Sequence, residues 1–390
     1  RLNANVYALA LKGETRLGRH TLRYGVNYQR ERIHDRMREW EARDSSGYTL
    51  PHTGEGISLI SSLRSMQDTE SNRISTYIQE TYTLEHKSGI YNFTGGVRLS
   101  YWDYNRECIV SPRISVGFNP AFNPRLTFRF ATGLYYQAPF YKEFRDTLQD
   151  SRGNWTVRLN DRIKSQRSVH VILGSDFTFR AMDRPFKLTG EVYYKKLDRL
   201  ISYEVDNVRV WYSGKNNSEG YIAGLDLKLF GEFVPGVDSW LTFSLMTAKE
   251  KTASGYVPLP TEQRYSVGLF FQDYVPRFPK YRFSLKAIWS DGLPMAAPRK
   301  GRAEGYFRTP PYRRVDIGLS RRLAGGEDRI MQKPFFRSFK SIWIGLDVFN
   351  LLDFANVNSY YWVTDIYNNQ NAVPNYLTGR QFNLRLSFEF

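Results

Sequence analysis

Stretches of about ten residues in which every second side chain is apolar recur from one end of the chain to the other, and this limits the fold more than any other feature. At residues 380–390, RQFNLRLSFEF, an extended strand places Phe382, Leu384, Leu386, Phe388 and Phe390 on one face, and Gln381, Asn383, Arg385, Ser387 and Glu389 on the other. The segment LTFRFATGLYY has Leu126, Phe128, Phe130, Leu134 and Tyr136 on its apolar side, and VHVILGSDFTF has Val169, Val171, Leu173, Phe177 and Phe179. Opposite them stand Arg129, His170, Asp176 and Arg180. Farther on, Lys187, Glu191 and Lys195 oppose Phe186, Leu188, Val192 and Tyr194. Slipping such a strand by one residue would exchange its faces and turn charges into whatever the apolar side meets.

About fifteen segments carry this signature, and no segment shows a helical period, so the sequence predicts an all-β fold. Two architectures share the pattern: a transmembrane antiparallel β-barrel, with apolar sides toward lipid, and a soluble sandwich or propeller that buries them. Many segments reach about ten residues or more, the length a tilted membrane strand needs, where soluble strands are nearer five or six. The links alternate as well. Those at 12–19, 86–89, 119–124, 181–185, 235–238 and 276–279 are short, and those at 35–72, 137–164, 291–311 and 351–378 are long, the asymmetry of outer-membrane barrels. Two links break the alternation: 106–110 is short on the long side, and 324–338 is long on the short side. Aromatic residues make up 16% of the chain although its mean hydropathy is −0.51, a combination that fits strands oily on one side only. No apolar run approaches the ~18 residues of a spanning helix.

The formal charge is +16, but the basic residues are dispersed and no helix-turn-helix, zinc-finger or RNA-recognition pattern accompanies them. That points to anionic lipid or an anionic solute and away from nucleic acid. The histidines are scattered, without HExxH spacing, and GxSxG, P-loop and GxGxxG motifs are absent, so the reading is of a protein that is not an enzyme, with no cofactor and no metal site. A lone cysteine, Cys108, excludes an internal disulfide. The chain opens at Arg1 already in strand-like alternation, and bacterial barrels have even strand numbers. Both suggest that residues 1–390 are the C-terminal portion of a larger barrel domain.

Several stretches carry a resemblance: APFYKEFRD at 138–146, NSEGYIAGLDL at 217–227, PYRRVDIGLSRRL at 311–323, IWIGLDVFNLLDFANVNSYYW at 342–362 and the terminal RQFNLRLSFEF. In this order the chain resembles the C-terminal barrel region of TonB-dependent outer-membrane receptors. The resemblance implies a barrel of about 22 strands, an N-terminal plug that has no counterpart in this chain, and uptake of a scarce nutrient, such as a siderophore or other metal chelate, driven through the TonB protein. It also implies outer-membrane lipid, lipopolysaccharide and the barrel-assembly machinery as partners, with Leu386, Phe388 and Phe390 as the assembly signal. A passive pore or a non-transporting binding barrel is the alternative.

Recognition is expected on loops carried by a rigid scaffold. Tyr136, Phe140, Tyr141 and Arg145 around one long link, and Tyr360, Tyr361 and Trp362 in the last, are candidates for a small-molecule ligand. An interfacial aromatic girdle would use the same residue types. Asp176, Arg180, Asp316, Asp347 and Arg385 on the polar face are candidates for lumen ion pairs or plug contacts.

Overall fold

The computed structural model describes residues 1–44, 57–149, 155–181, 183–206, 209–234, 237–252, 255–275, 278–297, 302–303, 305–325, 328–333, 335–336, 338–365, 367 and 369–389. Phe390, the last residue of the expected assembly signal, lies outside them.

The strands in chain order are β1 (Leu2–Leu17), β2 (His20–Asp44), β3 (Ile57–His86), β4 (Gly89–Trp102), β5 (Glu107–Pro120), β6 (Leu126–Gln137), β7 (Arg145–Gln149), β8 (Trp155–Leu159), β9 (Gln166–Ala181), β10 (Arg184–Asp206), β11 (Arg209–Val234), β12 (Val237–Thr252), β13 (Gly255–Pro258), β14 (Tyr265–Val275), β15 (Phe278–Ser290), β16 (Pro294–Ala296), β17 (Tyr306–Arg308), β18 (Tyr312–Gly325), β19 (Ser341–Phe349), β20 (Val357–Thr364), β21 (Gln370–Tyr376) and β22 (Gln381–Glu389). One sheet holds 18 of them, while β16–β17 and β20–β21 form separate hairpins within the long links. Without the short β7, β8 and β13, the sheet is an antiparallel meander in which each strand pairs with the next, from β1 to β22. The all-β expectation and its count of about fifteen long strands hold. Among the described residues β1 pairs only with β2 and β22 only with β19, so the sheet is open at both edges.

Register separates the two faces across the whole sheet. Arg129 of β6 lies opposite Gly174 of β9, which lies opposite Glu191 of β10, which lies opposite Asp226 of β11: one continuous polar row. One residue over, Phe130, Leu173, Val192 and Leu225 form the apolar row. In a sandwich that row would be the core. Here it is the exposed side, with Leu173 at 58%, Leu384 at 73% and Phe382 at 70% exposure. An apolar face this broad and this open needs an apolar neighbour, and bilayer hydrocarbon supplies one. Leu386 and Phe388 share it.

Links alternate in length as expected, short at 18–19, 87–88 and 121–125, long at 138–165 and 291–311. At one short link Gly89 has φ 144°, and a Cβ there would fall 2.1 Å from the Asn119 carbonyl oxygen, so the close turn depends on glycine. The β2–β3 link differs from expectation. Pairing continues from Asp35↔Gln67 to Asp44↔Ile57, making β2 25 and β3 30 residues long, where the sequence suggested a loop over 35–72. The segment RMREWEARD is polar on both faces because water meets both, so its alternation is erased while its pairing is not. The β10–β11 hairpin likewise runs past residue 198, to Asp206↔Arg209.

Candidate functional site

At the end of the sheet that carries the long links, two side-chain assemblies fix the links in place. The first lies under residues 138–165. Ile33, Trp102, Tyr141, Phe144, Ile163 and Ile201 bury one another, with Tyr104 and Tyr212 packed against them. Trp102 stacks on Tyr104 at 5.2 Å, and Arg73 stands over the Trp102 ring at 4.3 Å while donating to the Pro139 carbonyl. Arg145 donates to Asp35 at 3.3 Å, and Glu107 accepts from the amide and hydroxyl of Ser165. Burial, aided by the charge of Asp161, pushes the Tyr104 phenol up to about 12. Burial also drives the Tyr141 phenol above its ordinary range and lifts the Glu143 carboxyl. Glu143 nonetheless accepts from the Phe140 amide at 3.0 Å and from Gln166 at 3.2 Å.

A second assembly ties Asp291, Arg302 and Arg308 of the next long link to residues 247–264. Arg308 donates to Glu262, to Asp291 at 3.1 Å and to the Gly292 carbonyl at 3.1 Å. Arg264 grips Asp291 through two donors, at 2.6 and 3.1 Å. Glu262 accepts in addition from Thr247 and the Ala248 amide. Hydrogen bonding by Arg264 outweighs burial and holds the Asp291 carboxyl below its usual range. Arg302 pairs with Glu250 and lies over the Tyr203 ring at 4.9 Å.

Beside the second assembly the links line an apolar cavity of about 170 Å³, walled by Pro258, Leu293, Met295, Tyr306, Val357 and Trp362, with Arg302 at its side. Phe307 meets Tyr360 and Trp362 edge-on at 5.5 and 6.0 Å, joining the hairpins β16–β17 and β20–β21. The cavity therefore combines aromatic surface with a cation whose charge is already matched.

The structure distributes the sequence candidates unevenly. Trp362 lines the cavity, Tyr360 packs behind it through Phe307, and Tyr361 is exposed. Phe140 is exposed and lies edge-on to Tyr212, while Tyr141 is nearly buried and Arg145 is engaged by Asp35. Register turns Tyr136 to the apolar face opposite Arg167, and turns its neighbour Tyr135 to the polar face, where it stacks on His170 at 4.1 Å under Arg113. The carboxylates Asp176, Asp316 and Asp347 all stand on the polar face. Asp176 meets Arg129 at 2.7 Å and Lys187 at 3.3 Å. Asp316 meets Arg314 at 2.7 Å and the Asn350 amide at 2.8 Å, and Asp347 faces Arg385 at 3.7 Å. Arg180, on the same face at the short-link end, donates to the Asp183 carbonyl. Sequence reasoning missed Met295, Arg302, Tyr306 and Phe307; the only signal was a Pro/Met then Tyr/Phe composition inside a long link. Among the described residues no group of three or more His, Cys, Asp or Glu side chains is placed to hold a metal ion.

Known proteins agree with this geometry. The fold matches the outer membrane transporter YddB from Escherichia coli (TM-score 0.65, 13% identity, 100% of this chain and 55% of that one). It matches a variant of the ferric enterobactin receptor PfeA from Pseudomonas aeruginosa (TM-score 0.65, 15% identity, 99% and 54%) and the copper transporter OprC (TM-score 0.66, 13% identity, 100% and 57%). The chain thus spans about half the length of these structures, and identity this low speaks to fold alone. No curated protein matches in sequence. The family described as TonB dependent receptor-like, beta-barrel, a family of transporters and receptors, matches residues 2–351. With the open-faced apolar sheet and its long-link end in view, that match over most of its length establishes that the chain belongs to the TonB-dependent receptor β-barrel family.

Proposed function

We propose that residues 1–390 form the C-terminal portion of the barrel of an active-transport receptor in the bacterial outer membrane. On this reading the long links bind a scarce nutrient, a siderophore or other metal chelate, and import depends on TonB acting through a plug outside this chain. Lipopolysaccharide and the barrel-assembly machinery are the partners the location brings, and Leu386, Phe388 and Phe390 are the proposed assembly signal. One observation carries the reading: the cavity between β16–β17 and β20–β21, where Trp362, Tyr306 and Met295 offer a flat, polarisable surface at the end of the sheet expected to face outward. A chelate with aromatic or acyl arms would stack there. The names of the structural neighbours, which include a ferric enterobactin receptor and a copper transporter, lend support to a metal-chelate cargo.

Uptake of labelled ferric siderophores by cells carrying the receptor, with and without a protonophore, tests the proposal. Uptake that collapses with the proton-motive force supports it. Uptake indifferent to that force replaces it with a passive pore. A Trp362→Ala variant should weaken ligand binding by roughly tenfold, the usual effect of truncating an aromatic anchor, while leaving the folded barrel unchanged on gels.

A further inference from the structure

The link between β18 and β19 is long at the end where other links are short, and its composition is unlike theirs. A single helical turn, Arg329–Gln332, precedes a run of phenylalanines. Met331 is buried with Ala324 and Ile342, and Phe336 and Phe339 pack on that cluster, so the segment has a fixed seat. Phe335 is not part of the seat. It stands 73% exposed, edge-on to Phe336 at 5.1 Å and 6.0 Å from Phe339. Phe339 in turn reaches Phe388 at 5.3 Å, and Phe388 belongs to the outward apolar face. The rings therefore form an unbroken apolar path from the sheet's lipid-facing side onto the link.

Cations border that path. Arg329, Lys333 and Lys340 are exposed, and no ion pair is made by any of them among the described residues. On the neighbouring hairpin Phe278 is exposed beside Tyr281, and Arg321 lies over the Tyr281 ring at 5.4 Å. Aromatic side chains contiguous with a hydrocarbon-facing surface, rimmed by unpaired cations, match the two layers of a lipid monolayer: acyl chains below, headgroup phosphates above.

We propose that Arg329, Lys333, Phe335 and Lys340 form a docking site for an anionic phospholipid at the bilayer surface on the short-link side, Phe335 entering the acyl layer and Lys333, Lys340 and Arg329 meeting the phosphate. The site is separate from ligand capture at the opposite end, and it rests on the reading that the apolar face lies in a bilayer. Its consequence is local: the lipid would brace the last strands, β18, β19 and β22, against the leaflet.

The receptor containing this chain, reconstituted into nanodiscs with brominated phosphatidylglycerol or brominated phosphatidylcholine, tests the proposal. The readout is the fluorescence change relative to the parent receptor, in which this chain contributes 8 tryptophans. Phe335→Trp should be quenched several-fold more by the brominated anionic lipid than by the neutral one. Adding Lys333→Gln and Lys340→Gln should bring the two towards equality, since each cation near an anionic surface contributes about fivefold in affinity. Equal quenching by both lipids in Phe335→Trp itself, or a preference that survives removal of the cations, would overturn the headgroup site. A Leu384→Trp variant on the outward face separates the two layers of inference. If it is quenched while Phe335→Trp is not, the docking site is wrong and the bilayer reading stands. If neither is quenched, the bilayer reading fails and takes the site with it.

Discussion

Leu173 and Ile172 are neighbours in the middle of β9, at the same depth and on opposite faces, which makes them a controlled pair. Leu173 lies between Phe130 and Val192 on the apolar face, and Ile172 between Ala131 and Tyr193 on the polar face. Leu173 is 58% exposed to the surroundings of the chain. If those surroundings were water, Leu173→Arg would be an ordinary surface change worth about 0.5 kcal/mol or less. If they are hydrocarbon near the bilayer midplane, the guanidinium costs about 2–4 kcal/mol, a factor of roughly 30 to 900 in the folding equilibrium. Ile172→Arg puts the same charge on a face already carrying Arg129, Glu191 and Asp176, and should cost below about 1 kcal/mol. Equilibrium unfolding of the receptor in lipid vesicles, followed by tryptophan fluorescence against guanidinium concentration, measures both. A Leu173→Arg variant as stable as the parent, or an Ile172→Arg variant equally damaged, would refute the assignment of faces.

Other outcomes follow from the link end. Arg308→Gln leaves Glu262 and Asp291 with one fewer cation in a nearly buried setting, and should loosen residues 291–311 by about 3 kcal/mol, near the lower bound for breaking a buried pair. Hydrogen exchange of that segment reports it, and unchanged protection would show that Arg264 suffices. Gly292→Ala should have a similar effect by another route, because its Cβ would fall 1.6 Å from the Thr309 carbonyl oxygen; wild-type thermal stability in that variant would contradict the close crossing. The two assemblies should respond oppositely to pH. The fold raises the Glu143 carboxyl, so its contribution is complete below the ordinary carboxyl value of about 4.3 and fades as pH climbs through the raised value; Asp291 is lowered, so its contribution is complete above about 3.9 and fades as pH falls through the depressed value. Exchange protection corrected for intrinsic rates should therefore decline with rising pH over 138–165 and with falling pH over 291–311. Parallel changes in both links would be inconsistent with these shifts.

The wall of the sheet was legible because its physics is local. A strand with Arg129 on one side and Phe128 and Phe130 on the other states its own register, and the pairing Arg129↔Gly174↔Glu191 only completes it. The ends were not legible. Beyond Asp35 water lies on both sides, so nothing forces alternation on RMREWEARD, and the extended hairpin left no periodic trace. Aromatic residues in long links carry no face label either: Tyr141 and Phe140 are adjacent in APFYKEFRD, yet one is nearly buried and the other is exposed. The clamp of Glu262, Asp291 and Arg308 joins residues from three segments, and only the tertiary arrangement shows that they meet.

The outward run of β2 and β3 has a mechanical meaning. From Asp35 to Asp44 the paired ribbon runs on the order of 30 Å past the end of β1. Among the described residues its contacts run from Ile33 in the hydrophobic cluster, through Asp35, which holds Arg145, to Leu63, which meets Trp155 and lies opposite Glu39 about midway along the ribbon. A load at the far end acts on them as on a cantilever, with an arm of about 17 Å beyond Glu39. A force applied beyond Glu39 would be carried into these contacts, and Arg145 and Trp155, which make them, both belong to the link over residues 138–165.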